Sequence, residues 1–474
     1  MGRRRSTRIP PALTLALGIL LLALAWAPGR SQAGAPDARA SAKPVSVGGE
    51  LPTSEITLRP TGRGVSVTMP PVGLSIEYPV MARDLGTGTC PPSALAGELL
   101  RLGSPPLELG GVSQDMTAPN GAVPAAPSSW ETGTLYSLPS EFWSQLQCLL
   151  TAARDPLTVG LNARTGNLSW ATQMVAKARS VATGGLSFSL GNEPDLYGLP
   201  NYSSLDKPFA GEDAVAANLY MQLATYLRQA IGSAPLVGPE LSRPGHWRRQ
   251  LPRVLAQLDE QTVGVHLYPL TVCRSPREVT TGGLLSARVA DSPARLAWVV
   301  AEAQAAGVPA IISEANSASC GGLAGVSDRP AAAVWAVRFV LSALKTGFRE
   351  VRFHSSGDPY DPFVVRGAEV LRRPLESALV ALNQWLPVGS SLRSLPRVEG
   401  LVVTAVGQPG GGTLLILDNE RALPRPVVVR NAHRVHIAVL SPARAGLRTE
   451  TLSAAGHVRL LIAANSVLAI STAR

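Results

Sequence analysis

Lysine is nearly missing from this 474-residue chain: only Lys43, Lys177, Lys207 and Lys345 stand among its 43 basic residues, and the rest are arginines. With 45 glycines and 40 prolines alongside, that bias reads as a property of the coding sequence rather than of a binding surface. The formal net charge of +10 therefore does not argue for a nucleic-acid partner, and no basic run interleaved with aromatics occurs beyond the N-terminus. An acidic substrate and simple solubility are both compatible with the charge. Charged residues make up only 16% against 45% hydrophobic ones, which excludes a disordered chain and predicts a sizeable core. Cysteine is scarce too. Cys90, Cys148, Cys273 and Cys320 are the whole set, and no two lie at zinc-ligand spacing, so neither a metal cluster nor a cofactor is expected.

Long apolar runs are limited to one, at the start. "MGRRRSTRIPPALTLALGILLLALAWAPGRSQAGA" has a basic head, an apolar stretch over about 11–27, and small residues at Ser31, Ala33 and Ala35. It reads as a secretory signal peptide over 1–33, cleaved near Ala33 or Ala35. A retained anchor is the alternative, because the stretch is marginally long enough to span. After cleavage no membrane span is expected and the chain is read as secreted, with 34–48 as a linker. Export makes the cysteines informative, since an even number in an oxidising compartment favours two bridges among three pairings. Cys90 begins one predicted helix and Cys148 lies in the next, while Cys273 and Cys320 each follow a predicted strand. That placement favours 90 with 148 and 273 with 320; free buried thiols are the alternative.

What is present in quantity is alternation. "GLSIEYP" (73–79), "PLELGG" (106–111), "PLTVGLNA" (156–163), "GLSFSLG" (185–191), "APLVGPE" (234–240), "TVGVHLYP" (262–269), "PAIISEA" (309–315) and "EVRFHS" (350–355) are strand-like, and each has a helical segment after it. Eight such units over 70–387 predict a (β/α)8 barrel of the α/β class. From 388 to 474 the pattern changes to seven short apolar runs at roughly 10-residue spacing, which predicts an antiparallel β-sandwich. Two early strands within 49–69 are expected to complete it.

In a (β/α)8 barrel the strand C-terminal ends and the loops after them build the active site. Those positions hold Ser113, Gln114 and Asp115 after strand two, Asn162 at strand three, Asn192, Glu193 and Asp195 at strand four, and Glu240 at strand five. They continue with His266 and Tyr268 at strand six, Glu314 and Asn316 at strand seven, and His354, Asp358 and Tyr360 at strand eight. An apolar strand ending in Gly, Asn and Glu is badly made for a core, because each polar group needs partners once water is removed. Two glutamates at strand ends across a common cavity are the equipment of glycoside hydrolysis. Glu240 competes for the second position, but its "GPELS" setting lacks the Asn and Gly-rich loop that follow Glu314.

The Asn-Glu at strand four with a second Glu at strand seven resembles the clan of retaining (β/α)8 glycosidases. More narrowly, "LGNEPD" (190–195), "HLY" (266–268), "SEANSASCGG" (313–322) and "LGSPPLELGGVSQD" (102–115) resemble the heparanase and β-glucuronidase family, glycoside hydrolase family 79. That resemblance implies Glu193 as acid/base and Glu314 as nucleophile. It also implies Tyr268 as the hydrogen-bond donor to the nucleophile, His266 beside it, and Asn192 on the sugar 2-hydroxyl. A glucuronic acid carboxylate would then be held by Gly321, Gly322 and Tyr360, with Ser113 and Asp115 as further sugar ligands. Val112 departs from the polar residue usual after the Gly-Gly of strand two. Glu193 is expected to carry a raised pKa, as an acid that must hold its proton near neutrality. The implied substrate is a β-glucuronoside, free or 4-O-methylated, cleaved exo. An endo-acting enzyme on acidic polysaccharide, with Arg243, Arg248, Arg249 and Arg274 along a cleft, is the alternative within the enzyme class. A non-catalytic carbohydrate-binding cell-wall protein is the alternative outside it.

Overall fold

The computed structural model describes residues 53–57, 64–90, 93–119, 136–197, 213–396 and 400–472. The expected signal peptide and linker lie outside these residues. Eight parallel strands close a barrel in chain order: β1 (Val72–Glu77), β2 (Leu107–Gly110), β3 (Leu157–Leu161), β4 (Leu186–Leu190), β5 (Leu236–Leu241), β6 (Thr262–Leu267), β7 (Ala310–Ala315) and β8 (Val351–Ser355). All residues of β1, β2, β3, β5, β7 and β8 are buried, as expected where helices cover the outer face and side chains fill the inside. The covering helices are α1 (Ser93–Arg101), α2 (Phe142–Ala153), α3 (Leu168–Val181), α4 (Asp213–Ile231), α5 (Leu251–Leu258), α6 (Ala297–Ala305), α7 (Pro330–Thr346) and α8 (Pro374–Trp385). Their ends carry local signals. Asn167 caps α3 by accepting the Trp170 N–H at 3.1 Å, and α7 opens on Pro330 and stops at Gly347, whose φ of +112° suits glycine. The single helix expected after β6 is broken into short turns before α6, where Gly282, Gly283 and Pro293 interrupt the pattern.

The barrel interior has a polar layer below its C-terminal rim. Arg352 from β8 donates to Glu108 at 2.7 Å and to Glu350 at 2.8 Å, and all three are buried. Glu240 lies against this group, and burial, then the Glu108 carboxylate, hold its pKa well above the usual range. Glycines make the room: a Cβ on Gly264 would stand 3.0 Å from Glu240 Cγ, and one on Gly160 would overlap the Gln114 amide. Glu240 thus belongs to the barrel's interior.

Beyond the barrel, β9 (Ser391–Ser394), β10 (Leu401–Gly407), β11 (Thr413–Asn419), β12 (Arg425–Ser441), β13 (Arg444–Ile462) and β14 (Ser466–Thr472) form an antiparallel β domain. The sequence suggests more strands here, because two pairs of apolar runs read as separate. They are instead the long strands β12 and β13. The apparent breaks are bulges, with Asn431 at φ +61° and Gly456 at φ +87° absorbing the register shifts. Ser54–Thr57 joins β12 in parallel and Val65–Ser66 joins β9, so chain from before the barrel completes the sheet after it. One face buries Leu401, Val403, Leu415, Leu417, Val435 and Ile470 in a cluster of its own. The other places Leu414, Ile416, Val467 and Ala469 in the barrel's core cluster. Arg338 of α7 fixes the junction with a bidentate bond to buried Asp418 at 2.7 and 3.0 Å.

Candidate active site

The chain "LGNEPD" leaves β4 through a series of forced conformations. Gly191 sits at φ +74°, and a Cβ there would fall 2.0 Å from the Tyr197 hydroxyl. Glu193 itself adopts φ +48°, a conformation that costs a non-glycine residue about 1–2 kcal/mol. Two aspartates hold it there. Asp115 accepts the N–H groups of Ala163, Arg164 and Asn192 and, at 2.7 Å, the Tyr197 hydroxyl, while Asp195 accepts those of Ser242 and Arg243 at 3.0 and 2.6 Å. The strained glutamate is locked from both sides.

Glu314 ends β7 by a different device. The β6–β7 register slips by one residue after Val265, so that His266 and Glu314 become cross-strand partners. The bulge turns both side chains to the same side. Tyr268 donates to Glu314 Oε1 at 2.8 Å, whereas Oε2 has no hydrogen-bond partner among the described residues and faces His354 Nδ1 at 3.4 Å. His266 Nδ1 stands 3.1 Å from Glu193 Oε1 and 3.7 Å from Glu314 Oε1. One carboxylate oxygen from each glutamate and a His266 nitrogen all lie within 4.8 Å of one another. The two glutamates thus present oxygens to one common space at the C-terminal rim.

The protons are distributed otherwise than the sequence suggests. Burial raises the Glu193 pKa, but the hydrogen bond and charge of His266 outweigh it and the net shift is downward. Burial disfavours the charged form of His266, yet the charges of Glu314 and Glu193 raise its pKa to about 10. His354 is lifted to about 9 in the same way, against burial, by Glu314 and Glu77. Both imidazoles are therefore protonated at neutral pH. The expectation of a raised Glu193 is corrected: in the free site the proton rests on His266, one hydrogen bond away. Two carboxylates and an imidazole are also donor types that bind a divalent ion. In this site His266 Nδ1 is engaged by Glu193 at hydrogen-bond distance.

The other expected sugar contacts divide. Ser113 and Asp115 are both buried, with their side-chain oxygens engaged in the fold. Ser113 Oγ accepts the Tyr78 N–H at 2.9 Å and donates to the Gly110 carbonyl, and Asp115 fixes the loops as described. Asn192 is buried beside Glu193. Tyr360 lies at the site, its ring centroid 6.3 Å from Tyr268 and 6.2 Å from His354, with its hydroxyl 2.8 Å from Ser356 Oγ. Gly321 and Gly322 follow Cys320, and disulfides join Cys273 to Cys320 and Cys90 to Cys148. Glu77 was not singled out from the sequence. It closes β1, accepts the Val112 and Ser113 N–H groups, and stands 3.3 Å from His354 Nε2. A carboxylate ending the apolar run "GLSIE", like the one ending "AIISE", was the available signal.

No protein-family model and no curated protein sequence matches the chain. Solved structures do resemble it. A 4-O-α-L-rhamnosyl-β-D-glucuronidase from Fusarium oxysporum 12S superposes with a TM-score of 0.66 at 17% identity, over 88% of this chain and 100% of that one. The GH51 arabinofuranosidase of Xanthomonas axonopodis pv. citri gives 0.66 at 12% identity, over 88% and 99%. The catalytic domain of GH30 xylanase C from Talaromyces cellulolyticus gives 0.56 at 12%, over 89% and 100%. At such identities the likeness shows a shared fold, and it extends across most of the chain.

Proposed function

We propose that the protein is a retaining β-glycosidase, with Glu193 as acid/base and Glu314 as nucleophile. The carrying observation is that an oxygen of each glutamate lies within 4.8 Å of one of the other, with one Glu314 oxygen held by Tyr268 and the other without a hydrogen-bond partner among the described residues. Glu314 Oε2 attacks the anomeric carbon while the glycosidic oxygen takes a proton from Glu193 and departs, leaving a glycosyl ester on Glu314. Glu193, now a carboxylate, removes a proton from water, which attacks the same carbon and frees the sugar. His266 supplies the acid's proton, since Glu193 and His266 share one across 3.1 Å. Neither step needs a group from outside the chain and the water.

The finer reading is exo-cleavage of terminal β-glucuronic acid or its 4-O-methyl form by an exported enzyme. The motif resemblance supports the glycone, and the two disulfides with the basic-apolar N-terminus support export. The β domain is read as a sandwich completed by Ser54–Thr57 and Val65–Ser66. A panel of chromogenic β-glycosides, assayed with wild type and Glu314→Ala, tests the proposal. Hydrolysis by wild type that falls about 10⁴-fold or more in the variant is the expected result. Release from neutral conjugates but none from the glucuronide would remove the acid-sugar part, and no hydrolysis at all would favour a carbohydrate-binding protein.

A further inference from the structure

Behind the nucleophile stands an acid that the two chemical steps do not use. Glu77 ends β1, and His354 lies on β8, the strand that closes the barrel against β1, where it is the register partner of Ser75. Ser75 and Glu77, two residues apart, point to the same side of their strand, so both meet the imidazole. His354 Nε2 stands 3.3 Å from Glu77 Oε1, while Nδ1 stands 3.3 Å from Ser75 Oγ and 3.4 Å from Glu314 Oε2. All four residues are buried. A neutral imidazole has a single N–H and would turn a lone pair toward one of the two carboxylates, whereas the imidazolium offers a proton to each. The backbone makes room for the contact: Gly111 stands at φ +71°, and a Cβ there would fall 2.5 Å from Glu77 Oε1 and 2.6 Å from His354 Cε1. Both partners are anchored from behind. Glu77 accepts the Val112 and Ser113 N–H groups at 3.1 and 2.8 Å, and Asn316 donates to the His354 main-chain carbonyl at 3.0 Å.

We infer that Glu77 is a positioning residue for the nucleophile, holding His354 as a cation against Glu314 Oε2, the oxygen that attacks. His354 touches the reacting atom, and Glu77 acts through it. In the resting site the cation keeps Glu314 ionised and fixes the oxygen that Tyr268 does not hold. When the glycosyl ester is hydrolysed, the bond between Oε2 and the anomeric carbon breaks and its electron pair returns to Glu314, where the imidazolium stabilises the carboxylate that forms. Burial makes this attraction stronger than it would be in water. Among the described residues, Glu77 and Glu314 are the carboxylates at ion-pair distance from the ring. The other groups facing it are His266 of β6, whose like charge opposes its protonation, Glu193 after β4, and Tyr360 and Asp361 in the loop after β8. The inference rests on the glycosidase reading and holds whichever glycone is bound.

The test follows kcat/KM against pH, on an aryl β-glycoside that wild type cleaves, in wild type, Glu77→Gln, His354→Gln and the double variant. Without the Glu77 charge His354 gives up its proton more readily, so the basic limb of the Glu77→Gln profile should lie about 1–3 pH units below that of wild type. In His354→Gln, neutral at every pH, kcat/KM is expected to fall about tenfold or more, and adding Glu77→Gln should then change it by less than about threefold. A Glu77→Gln profile lowered equally at every pH, or losses that multiply in the double variant, would leave Glu77 a structural role and overturn the inference with the glycosidase reading intact. If Glu77→Gln does not fold, histidine-ring NMR of wild type decides, with the His354 signal identified by its absence from His354→Gln. A ring that titrates near about 9 supports the inference, and one that titrates near the ordinary value of about 6.5 overturns it. A wild type that hydrolyses nothing across the panel overturns the inference and the glycosidase reading together.

Discussion

The two ends of the barrel treat buried acids differently. At the C-terminal rim, Glu77, Asp115, Asp195 and Asp361 each collect two or three backbone N–H groups from the loops around them. At the N-terminal end, Asp155 just before β3 is buried and, among the described residues, its carboxylate has no hydrogen-bond partner beyond its own main chain, and Glu260 just before β6 has the Tyr220 hydroxyl at 3.0 Å on one oxygen and no described partner on the other. Burial raises the pKa at both ends, to about 6 for Asp115 and Asp361 and about 7 for Asp155 and Asp195, and it takes Glu260 to about 8. Geometry, more than acidity, separates them. Loops leaving parallel strands turn their N–H groups and the starts of helices toward the rim, whereas the opposite end receives helix C-termini and their carbonyls. An acid at the rim can be held in place for chemistry; at the other end Glu350 is paired with Arg352, whereas Asp155 and Glu260 are a cost to the fold.

Rim substitutions should then alter activity with little loss of stability. Glu193→Gln gives the largest effect: kcat is expected to fall about 10²–10⁴-fold, most for substrates with poor leaving groups. The thermal unfolding midpoint should hardly move, because the backbone at Glu193 is fixed through Asp115 and Asp195 rather than through its own carboxylate. A midpoint that collapses along with the rate would mean that the glutamate is structural. A smaller change is expected at the disulfide between Cys273 and Cys320, which ties the loop after β6 to the glycine turn after β7. Replacing both cysteines by serine should lower kcat/KM by about tenfold by loosening that turn. The matching double serine variant at Cys90 and Cys148 should leave kcat/KM near wild type and cost about 2–4 kcal/mol in denaturant unfolding. Equal kinetic losses in the two variants would erase the distinction between the bridges.

Much of this is legible in the sequence alone. The eight strands stand out because a parallel sheet covered on both faces needs continuous apolar runs such as "AIIS" and "TVGV", and Asp213–Ile231 stands out because its apolar spacing is helical. Glu193 and Glu314 are visible as carboxylates that end such runs. Three things were not visible. That β12 and β13 run through their bulges depends on pairing with each other, which local turn signals at Asn431 and Gly456 disguise. The roles of Ser113 and Asp115 depend on which loop N–H groups reach them. The proton on His266 depends on a one-residue slip between β6 and β7 that places it between two glutamates. Each is set by contacts across more than 20 residues of chain, where spacing carries no information.

The smallest effect lies at the N-terminal end, and its sign runs opposite to that at the rim. Asp155 has an ordinary carboxylate pKa of about 3.9 when unfolded and about 7 when folded, so between those values the native state binds more protons than the unfolded one. Stability contributed by that proton is present at low pH, declines as pH rises from about 4, and is gone above about 7. Asp155→Asn keeps the shape, removes the ionisation and so should stabilise the protein by about 1–2 kcal/mol at pH 8, with the gain shrinking toward pH 4. Denaturant unfolding of the two proteins at pH 4.5, 6 and 8 measures it, and kcat/KM measured in parallel should not differ. A gain that is the same at every pH would point to packing rather than charge. A loss at pH 8 would mean that the carboxylate is held by a partner after all, and the contrast between the two ends of the barrel would fail at its clearest residue.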